Sequence, residues 1–349
     1  MPLDTSSLGQ PVELGQINRE LKKLWETSGG AKSRASLVNL VVYCEGTEAL
    51  ASNTKLISEF TQDHACRAIL VANIPNAPQA QVQAWINAHC HLVRAGTKQV
   101  CCEQITFLLE RGTAQLLQNT LFAHLDSDLP LYLWWQHEFT PPFEESLLGW
   151  VDRLIFDSAD WKEPATTFET LSLLLADAGN RVVPCDLDWT RSLHLRQAIA
   201  QMFDHPENLA QVPRLNRLAL MHGPGHRSTA LLLMAWIAAQ LGWELAQKTA
   251  GGFVFNSGYG GHVTAELTEA PGAPIGSCEL SAGDASVVVQ REAASMHHRA
   301  EVKLPDGRVY HHLLPAGQDE LISLLNEELM RGGKHKVYLK ALRTLRGLL

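Results

Sequence analysis

A glycine-rich turn between two histidines is the segment of this sequence best suited to hold a ligand. His222-Gly223-Pro224-Gly225-His226 lies between a predicted strand, Arg217–Met221, and a predicted helix, Ser228–Leu241. A strand-to-helix turn of this kind exposes backbone N–H groups that could hold a phosphate. It lacks the third glycine of the dinucleotide fingerprint and the lysine of a P-loop, so a tight turn with Ser228 as the helix cap is the alternative. The phosphate-binding candidates are Gly223, Gly225, His226 and Ser228.

Two adjacent cysteines, Cys101 and Cys102, lie in a predicted strand, Gln99–Glu110. Neighbouring residues of a strand face opposite sides of the sheet, so these two thiols do not bind one metal ion together. A redox-sensitive thiol, which needs a low pKa and exposure, is the functional hypothesis for the pair. Buried reduced thiols that pack as small hydrophobic groups are the alternative. The other five cysteines show no Cys-x-x-Cys spacing, so the sequence predicts no metal site.

Four histidines lie near a predicted hairpin. A two-residue Asp306-Gly307 loop predicts that Val302 lies opposite His311 and that Glu301 lies opposite His312. Consecutive histidines then point to opposite faces of the sheet and do not converge on an ion. The four residues are His297, His298, His311 and His312. The chain contains neither a Gly-x-Ser-x-Gly elbow nor a His-Glu-x-x-His motif, and no catalytic residue is predicted.

Aromatic and basic side chains supply the candidates for contact with another protein. Trp134 and Trp135 end a predicted strand, Leu129–Trp135; one ring should face the core, and the other is either an interface anchor or also buried. The C-terminal helix has an apolar stripe and basic residues on its other faces, and we expect it to dock on its own domain. The partner-binding candidates are Trp134, Trp135, His137, Phe139, Lys336, Lys340 and Arg343.

Length and composition limit the class of protein. At about 150 residues per domain, 349 residues predict two domains. The formal net charge of −8 supplies no general basic field for nucleic acid, although residues 331–349 hold six basic residues and no acidic one. The N-terminus lacks the pattern of a secretory signal, and the most apolar stretch, Ala230–Trp243, is too short to span a membrane. An odd number of cysteines, seven, predicts reduced thiols in the cytoplasm.

Periodicity predicts two different domains in one α/β chain. Residues 1–35 form an N-terminal helix and a linker. From 36 to 180, apolar strands alternate with helices, which is typical of a mostly parallel sheet covered by helices. From 181 to 349, helices are combined with a period of two and glycine-rich turns, which predicts an α+β domain with an antiparallel hairpin region.

Several segments in a fixed order resemble one family. They are Val100–Ile105, Asp128–Trp135, Val151–Ser158 and Asp186–Arg191, followed by the helix that ends at Phe203-Asp204. In this combination the chain, from about Ser36 to its C-terminus, resembles the OpcA family of glucose-6-phosphate dehydrogenase assembly proteins. The resemblance implies a non-catalytic partner that promotes assembly and activation of the dehydrogenase in the oxidative pentose phosphate pathway. It also implies, for cyanobacterial members, a redox link through thiols that thioredoxin addresses.

Three functional hypotheses follow. The first is a cofactor-free binding protein that docks on glucose-6-phosphate dehydrogenase and favours its active oligomer, with thioredoxin as a further partner and with no nucleic acid or membrane involved. The second is an enzyme or sensor for a phosphorylated sugar that uses the turn at residues 222–229. The third is a thiol switch centred on Cys101 or Cys102. The first agrees best with the lack of a catalytic signature.

Overall fold

Two compact units make up the chain in the structure, a computed structural model that describes residues 5–26, 32–92, 99–140, 143–179, 181–293 and 295–349. The first unit comprises Met1–Phe156 and Thr170–Cys185, and the second comprises Asp157–Glu169 and Asp186–Leu349. The units are therefore interleaved along the sequence. One sheet is mostly parallel and the other mostly antiparallel, which confirms the predicted fold class.

The first unit is built on a nine-stranded sheet. Its strands run in the order β1-β5-β6-β4-β3-β7-β8-β9, with β2 beside β6. The strands are β1 (Gln10–Val12), β2 (Lys32–Arg34), β3 (Val38–Glu45), β4 (Cys66–Ile74), β5 (Gln81–Leu92), β6 (Gln99–Glu110), β7 (Leu131–Trp135), β8 (Arg153–Phe156) and β9 (Val183–Asp186). The helices are α1 (Ile17–Glu26), α2 (Leu50–Phe60), α3 (Ala114–Phe122), α4 (Glu145–Leu148) and α5 (Pro164–Ala178). The boundary between the two units falls within α5, between Glu169 and Thr170.

Buried apolar runs explain the parallel part of this sheet. Six consecutive residues of β3 and eight of β4 are buried, as expected for strands with both faces covered. The strand β3 is parallel to β4 and to β7, and β4 is parallel to β6. The predicted alternation of apolar strands with helices begins with β3, α2 and β4. The sequence pattern missed β5, which is antiparallel to β6 and alternates polar with apolar residues.

The second unit is built on an eight-stranded sheet in the order β11-β12-β13-β10-β14-β15-β16-β17. Its strands are β10 (Arg217–His222), β11 (Glu244–Thr249), β12 (Gly252–Asn256), β13 (His262–Glu269), β14 (Ile275–Ala282), β15 (Ala285–Gln290), β16 (His297–Lys303) and β17 (Val309–Pro315). Its helices, beyond the start of α5, are α6 (Leu187–Arg191), α7 (Leu193–Met202), α8 (Pro206–Leu209), α9 (Arg227–Leu241), α10 (Leu321–Met330) and α11 (Lys336–Leu348). The strand β10 is parallel to β13 and antiparallel to β14.

The C-terminal helix α11 packs on α9 of the same unit, in agreement with the prediction that it docks on its own domain. Tyr338, Leu342 and Leu345 are buried, and α9 is the apolar helix that receives them. Each such buried leucine contributes about 1.5–3 kcal/mol relative to an exposed one.

Among the described residues, no helix is both long enough and apolar enough to cross a membrane.

The hairpin register predicted around residue 306 is wrong by one residue. Val302 pairs with Tyr310, and Glu301 pairs with His311. The cause is the loop, which has three residues rather than two: the Leu304 N–H donates to the Arg308 carbonyl, and Gly307 has a φ of 87°. A one-residue shift moves every later side chain to the opposite face of the sheet.

Candidate functional site

Six strands of the first unit have the order of a dinucleotide-binding fold. Counted along the chain, β3, β4, β6, β7, β8 and β9 stand in the order 3-2-1-4-5-6. In such sheets a ligand binds where the order reverses, beyond the carboxyl ends of the first and fourth strands. Here these strands are β3 and β7, so the residues that follow Cys44 and Trp135 form the candidate crevice.

The turn after β3 lacks the chemistry that a dinucleotide pyrophosphate needs. It contains a single glycine, Gly46, between Glu45 and Glu48. The Gly46 N–H donates to the Asn73 carbonyl at 2.9 Å, which removes it from the set of donors for a ligand. Two carboxylates and one glycine replace the three glycines that let a pyrophosphate approach a helix N-terminus. The residues present therefore do not fit a nicotinamide or flavin dinucleotide at this position.

Protein side chains connect the two sides of the crevice. The amides of Gln136 and Asn53 donate to each other at 2.8 and 2.9 Å. His137 Nε2 lies 3.4 Å from Glu45 Oε2, with both side chains partly exposed. The switch point is thus crossed by the hydrogen bonds between Gln136 and Asn53 of α2 and by the contact between His137 and Glu45.

The predicted aromatic contacts lie at this same position, but mostly inside the unit. Trp134 and Trp135 are only 2% and 1% exposed, so the interpretation in which both rings are buried is the one that the structure has. Trp135 stacks on Tyr43 with ring centroids 3.7 Å apart. Phe139 is 9% exposed and packs against Phe143. Of the four candidates, His137 is the one with a partly exposed side chain, and its role in partner binding stays a prediction.

The predicted phosphate-binding turn of the second unit is occupied by the protein itself. The Gly223 N–H donates to the Pro274 carbonyl, and a Cβ at Gly223 would lie 2.9 Å from the Ala273 oxygen. Gly225 has a φ of 77°, which explains its glycine. The expectation that Ser228 caps the helix is wrong, because His226 is the N-cap residue of α9 and Ser228 lies in its first turn.

An internal carboxylate takes the place of an anion at this helix N-terminus. The Thr229 hydroxyl, in the first turn of α9, donates to Asp188, whose side chain is fully buried. A negative charge is stabilised at a helix N-terminus. Because Asp188 already supplies that charge, a second anion there would be repelled, and the geometry does not favour a phosphorylated ligand at residues 222–229.

Asp188 belongs to a buried acidic cluster that we define as Asp157, Asp186 and Asp188. Arg191 neutralises part of it, with Nη2 at 2.6 Å from Asp157 and Nη1 at 3.2 Å from Asp188. Asp186 accepts hydrogen bonds from the Ser158 hydroxyl at 2.8 Å and from the Tyr338 hydroxyl at 2.9 Å. Burial and the nearby Asp188 raise the pKa of Asp186 to about 8. The raised pKa favours the protonated form of Asp186.

In the sequence this segment stands out through the family resemblance, which includes Asp186–Arg191. Asp186 caps α6 by accepting from the Asp188 N–H, so the helix that carries Asp188 and Arg191 begins at Leu187. The signal was the Asp-x-Asp spacing followed by an arginine three residues later, which places Asp188 and Arg191 on one helix face. Nothing in the sequence pairs these residues with Tyr338, 152 positions after Asp186.

A cavity of about 490 Å³ opens beside Arg191 within the second unit. Its volume is in the range of sites for small molecules. However, Arg191 already binds two carboxylates, and His194 Nε2 lies 3.4 Å from Glu327 Oε2. The charge of Arg191 is therefore balanced by carboxylates and does not favour a phosphate in this cavity.

Cys101 is not a reduced thiol, which corrects the prediction for the seven cysteines. It forms a disulfide with Cys90, its direct partner across β5 and β6. Cys102 is a buried free cysteine, and burial raises the pKa of its thiol. Since a reactive thiol needs exposure and a low pKa, Cys102 does not fit that role. Of the two bonded residues, Cys101 is buried and Cys90 is half-buried.

The exposed basic residues of α11 form one stripe. Lys336, Lys340 and Arg343 follow each other at spacings of four and three residues on the side opposite the buried Tyr338 and Leu342. This placement leaves the three cations accessible to a partner.

Fold and site together define a class: a two-unit α/β protein with the strand order of a dinucleotide-binding domain and without its phosphate-binding turn. Two family models identify the family within this class. The one described as the glucose-6-phosphate dehydrogenase subunit N-terminal domain matches residues 58–173, and the one described as the C-terminal domain matches residues 184–342. The chain belongs to the OpcA family, which is tied to glucose-6-phosphate dehydrogenase and the oxidative pentose phosphate cycle.

Two curated relatives carry the name OxPP cycle protein OpcA. The protein of Synechocystis sp. is 30% identical over 188 residues, which is 51% of this chain and 37% of that protein. The protein of Synechococcus elongatus is 26% identical over 175 residues, which is 49% of this chain and 39% of that protein. The similarity thus spans less than half of either relative.

Solved structures with a similar backbone are oxidoreductases of low sequence identity. An aldose-aldose oxidoreductase from Caulobacter crescentus has a TM-score of 0.49 at 12% identity, and covers 90% of this chain and 95% of its own. An oxidoreductase domain protein from Kribbella flavida has a TM-score of 0.49 at 9% identity, and covers 90% of this chain and 96% of its own.

Proposed function

We propose that this chain is a non-catalytic assembly factor and allosteric activator of glucose-6-phosphate dehydrogenase. It binds the dehydrogenase and promotes the active oligomer. Family membership supports the choice of partner. The observation that carries the non-catalytic part is the switch point of the first unit, where Glu45, Gly46 and Glu48 stand in the position of a glycine-rich phosphate loop.

Activation follows from differential binding. A protein that binds the active and inactive forms of the dehydrogenase equally well changes neither population, whatever its affinity. The chain must therefore bind the active oligomer more tightly, and the activation factor is limited by the ratio of the two affinities. Its partly exposed His137 and the basic stripe of α11 are the contact candidates for this interaction.

A titration of the dehydrogenase with this chain tests the proposal. The rate of NADPH formation should rise and saturate as the chain is added, while the chain alone produces none. A matched titration with an unrelated protein of similar charge is the control. An unchanged rate at saturating concentration would rule out activation, and turnover of glucose 6-phosphate by the chain alone would rule out the non-catalytic role.

Redox control through thioredoxin is a second part of the proposal. The disulfide between Cys90 and Cys101 supplies a reducible bond, and the half-buried Cys90 gives partial access to it. Reduction by a dithiol would release the link between β5 and β6 next to the end of their hairpin. Activation of the dehydrogenase should then differ between the reduced and the oxidised chain.

A further inference from the structure

One edge of the eight-stranded sheet is exposed along its full length. The strand β17 forms this edge, and its residues from Val309 to Leu313 are all exposed. The exposed fractions are 43% for Val309, 43% for Tyr310 and 64% for Leu313. The segment from Val309 to Leu314 contains no Asp, Glu, Lys or Arg. A long, neutral and partly apolar edge of this kind is a template for pairing with another strand.

The opposite edge of the same sheet carries the features that prevent such pairing. The strand β11 has Glu244 and Lys248 among its exposed residues. Its ladder with β12 shifts register between Leu245 and Gln247. Charges and bulges are the means by which natural sheets protect their edges. Because the fold protects β11 and not β17, the contrast indicates that β17 has a partner strand.

Backbone geometry determines which groups of β17 are available. The Arg308 carbonyl accepts from Leu304, and the Ala316 N–H donates to the Met296 carbonyl, so even-numbered residues bond towards β16. Hydrogen bonding alternates along an antiparallel strand. The N–H and C=O groups of Val309, His311 and Leu313 therefore point away from the sheet, while Pro315 ends the row because it has no N–H.

We propose that the occupant of this edge is β17 of a second copy of the chain, paired antiparallel about a twofold axis through His311. In this register Val309 of each copy lies opposite Leu313 of the other copy, and the two His311 residues lie opposite each other. All outward backbone groups from Val309 to Leu313 are then paired, and no charged residue faces a like charge. The interface is isologous, and the two sheets become one sheet of sixteen strands.

On the face of β17 that carries Tyr310 and His312, there is room for the side chains of the incoming strand. Tyr310 and His312 line an open groove of about 480 Å³ together with Met202 and Pro206. In the proposed register Tyr310 of one copy is opposite His312 of the other, beside this groove. The added strand therefore meets space and aromatic partners on one face, and apolar Val309 and Leu313 on the other.

The mass of the chain alone, without the dehydrogenase, tests this proposal independently of the proposed function. Light scattering of the wild-type chain should show a concentration-dependent dimer at up to about 100 µM, because a single strand pair gives a small and weak interface. The variant Leu313→Lys should be monomeric at the same concentration with an unchanged melting temperature, because the side chain is exposed. The control Thr249→Lys, on β11, should dimerise like the wild type.

A single cysteine tests the register. Paired residues that exchange hydrogen bonds have Cα atoms about 5.5 Å apart, a separation that a disulfide can bridge. Under mild oxidation His311→Cys should form a covalent dimer, and Thr249→Cys should not. A wild-type chain that is monomeric throughout, equal dimerisation of Leu313→Lys, or equal cross-linking of the two cysteine variants would each overturn the proposal. If the wild-type chain is monomeric and the Leu313→Lys variant loses only its effect on the dehydrogenase, the edge binds the dehydrogenase instead, and the proposal of a second copy is overturned.

Discussion

Asp186 is an acidic residue whose protonation is strongly changed by its surroundings. Its carboxyl group is fully buried next to Asp188, and its raised pKa is about 8. In the unfolded chain the same group has a pKa near its ordinary value of about 4. Between these two pH values Asp186 is more protonated in the folded chain than in the unfolded chain. The free energy of unfolding must therefore fall as the pH rises through this window.

The variant Asp186→Asn should remove most of that dependence. Asparagine keeps the shape of the side chain and cannot ionise, so the melting temperature should decrease less between pH 5 and pH 9 than in the wild type. A difference of one pKa unit corresponds to about 1.4 kcal/mol of unfolding free energy. For a structural unit of this size, that is a change of roughly 3–6 °C in the melting temperature. Thermal melts across the pH range measure it, with Asp306→Asn, at an exposed turn, as control. Equal slopes for wild type and Asp186→Asn would contradict the assignment.

The Cys90–Cys101 disulfide should stabilise the first unit. A native disulfide typically contributes about 2–4 kcal/mol, with short loops at the lower end. Treatment with a dithiol should therefore lower the melting temperature of the wild type and leave that of Cys90→Ser unchanged. The variant Cys278→Ala, in the second unit, should keep the response of the wild type.

The same variants test redox control of the dehydrogenase. Activation by the wild type should change on reduction, and activation by Cys90→Ser should be the same under reducing and oxidising conditions. Equal activation by the oxidised and reduced wild type would remove the redox part of the proposal.

At the scale of the elements, the basic stripe of α11 is the feature most open to a partner. The double variant Lys340→Glu, Arg343→Glu should slow association with the dehydrogenase and reduce its dependence on salt, because charges at an interface rim act mainly on the association rate. Both side chains are exposed, so the melting temperature should stay within about 1–2 °C of wild type. Stopped-flow or surface-binding kinetics measure the rate. The control Lys22→Glu, Lys55→Glu reverses the same charge on the first unit, and an equal effect of both double variants would exclude a specific role for α11.

Elements with a strong period could be predicted from the sequence, and those that depend on distant residues could not. The bounds of β6 and β8 are as expected, since apolar runs between turn residues specify them. The strand β5 alternates polar with apolar residues, a period of two that could have predicted it, and it pairs with β6. The hairpin register depended on one additional loop residue, and the buried acidic cluster depends on Tyr338, which the sequence separates from it.

For the whole molecule, we expect that the chain does not bind a dinucleotide. Glu45 and Glu48 beside a single glycine should repel the pyrophosphate of NADP⁺ or NAD⁺. Calorimetric titration of the chain should give no saturable heat with either compound, and the dehydrogenase itself serves as the positive control. Saturable binding that is lost on changing residues of the β3–α2 turn would mean that the crevice opens for a cofactor after all.

The mass of the mixture of this chain and glucose-6-phosphate dehydrogenase is the decisive test of whether the chain assembles and activates the dehydrogenase. Light scattering coupled to size exclusion, followed by an activity assay of each fraction, should reveal a species that contains both proteins. In that species the dehydrogenase should have a larger oligomer and a higher specific rate than it has alone. Two separate species with the masses and the rate of the isolated proteins would contradict the account.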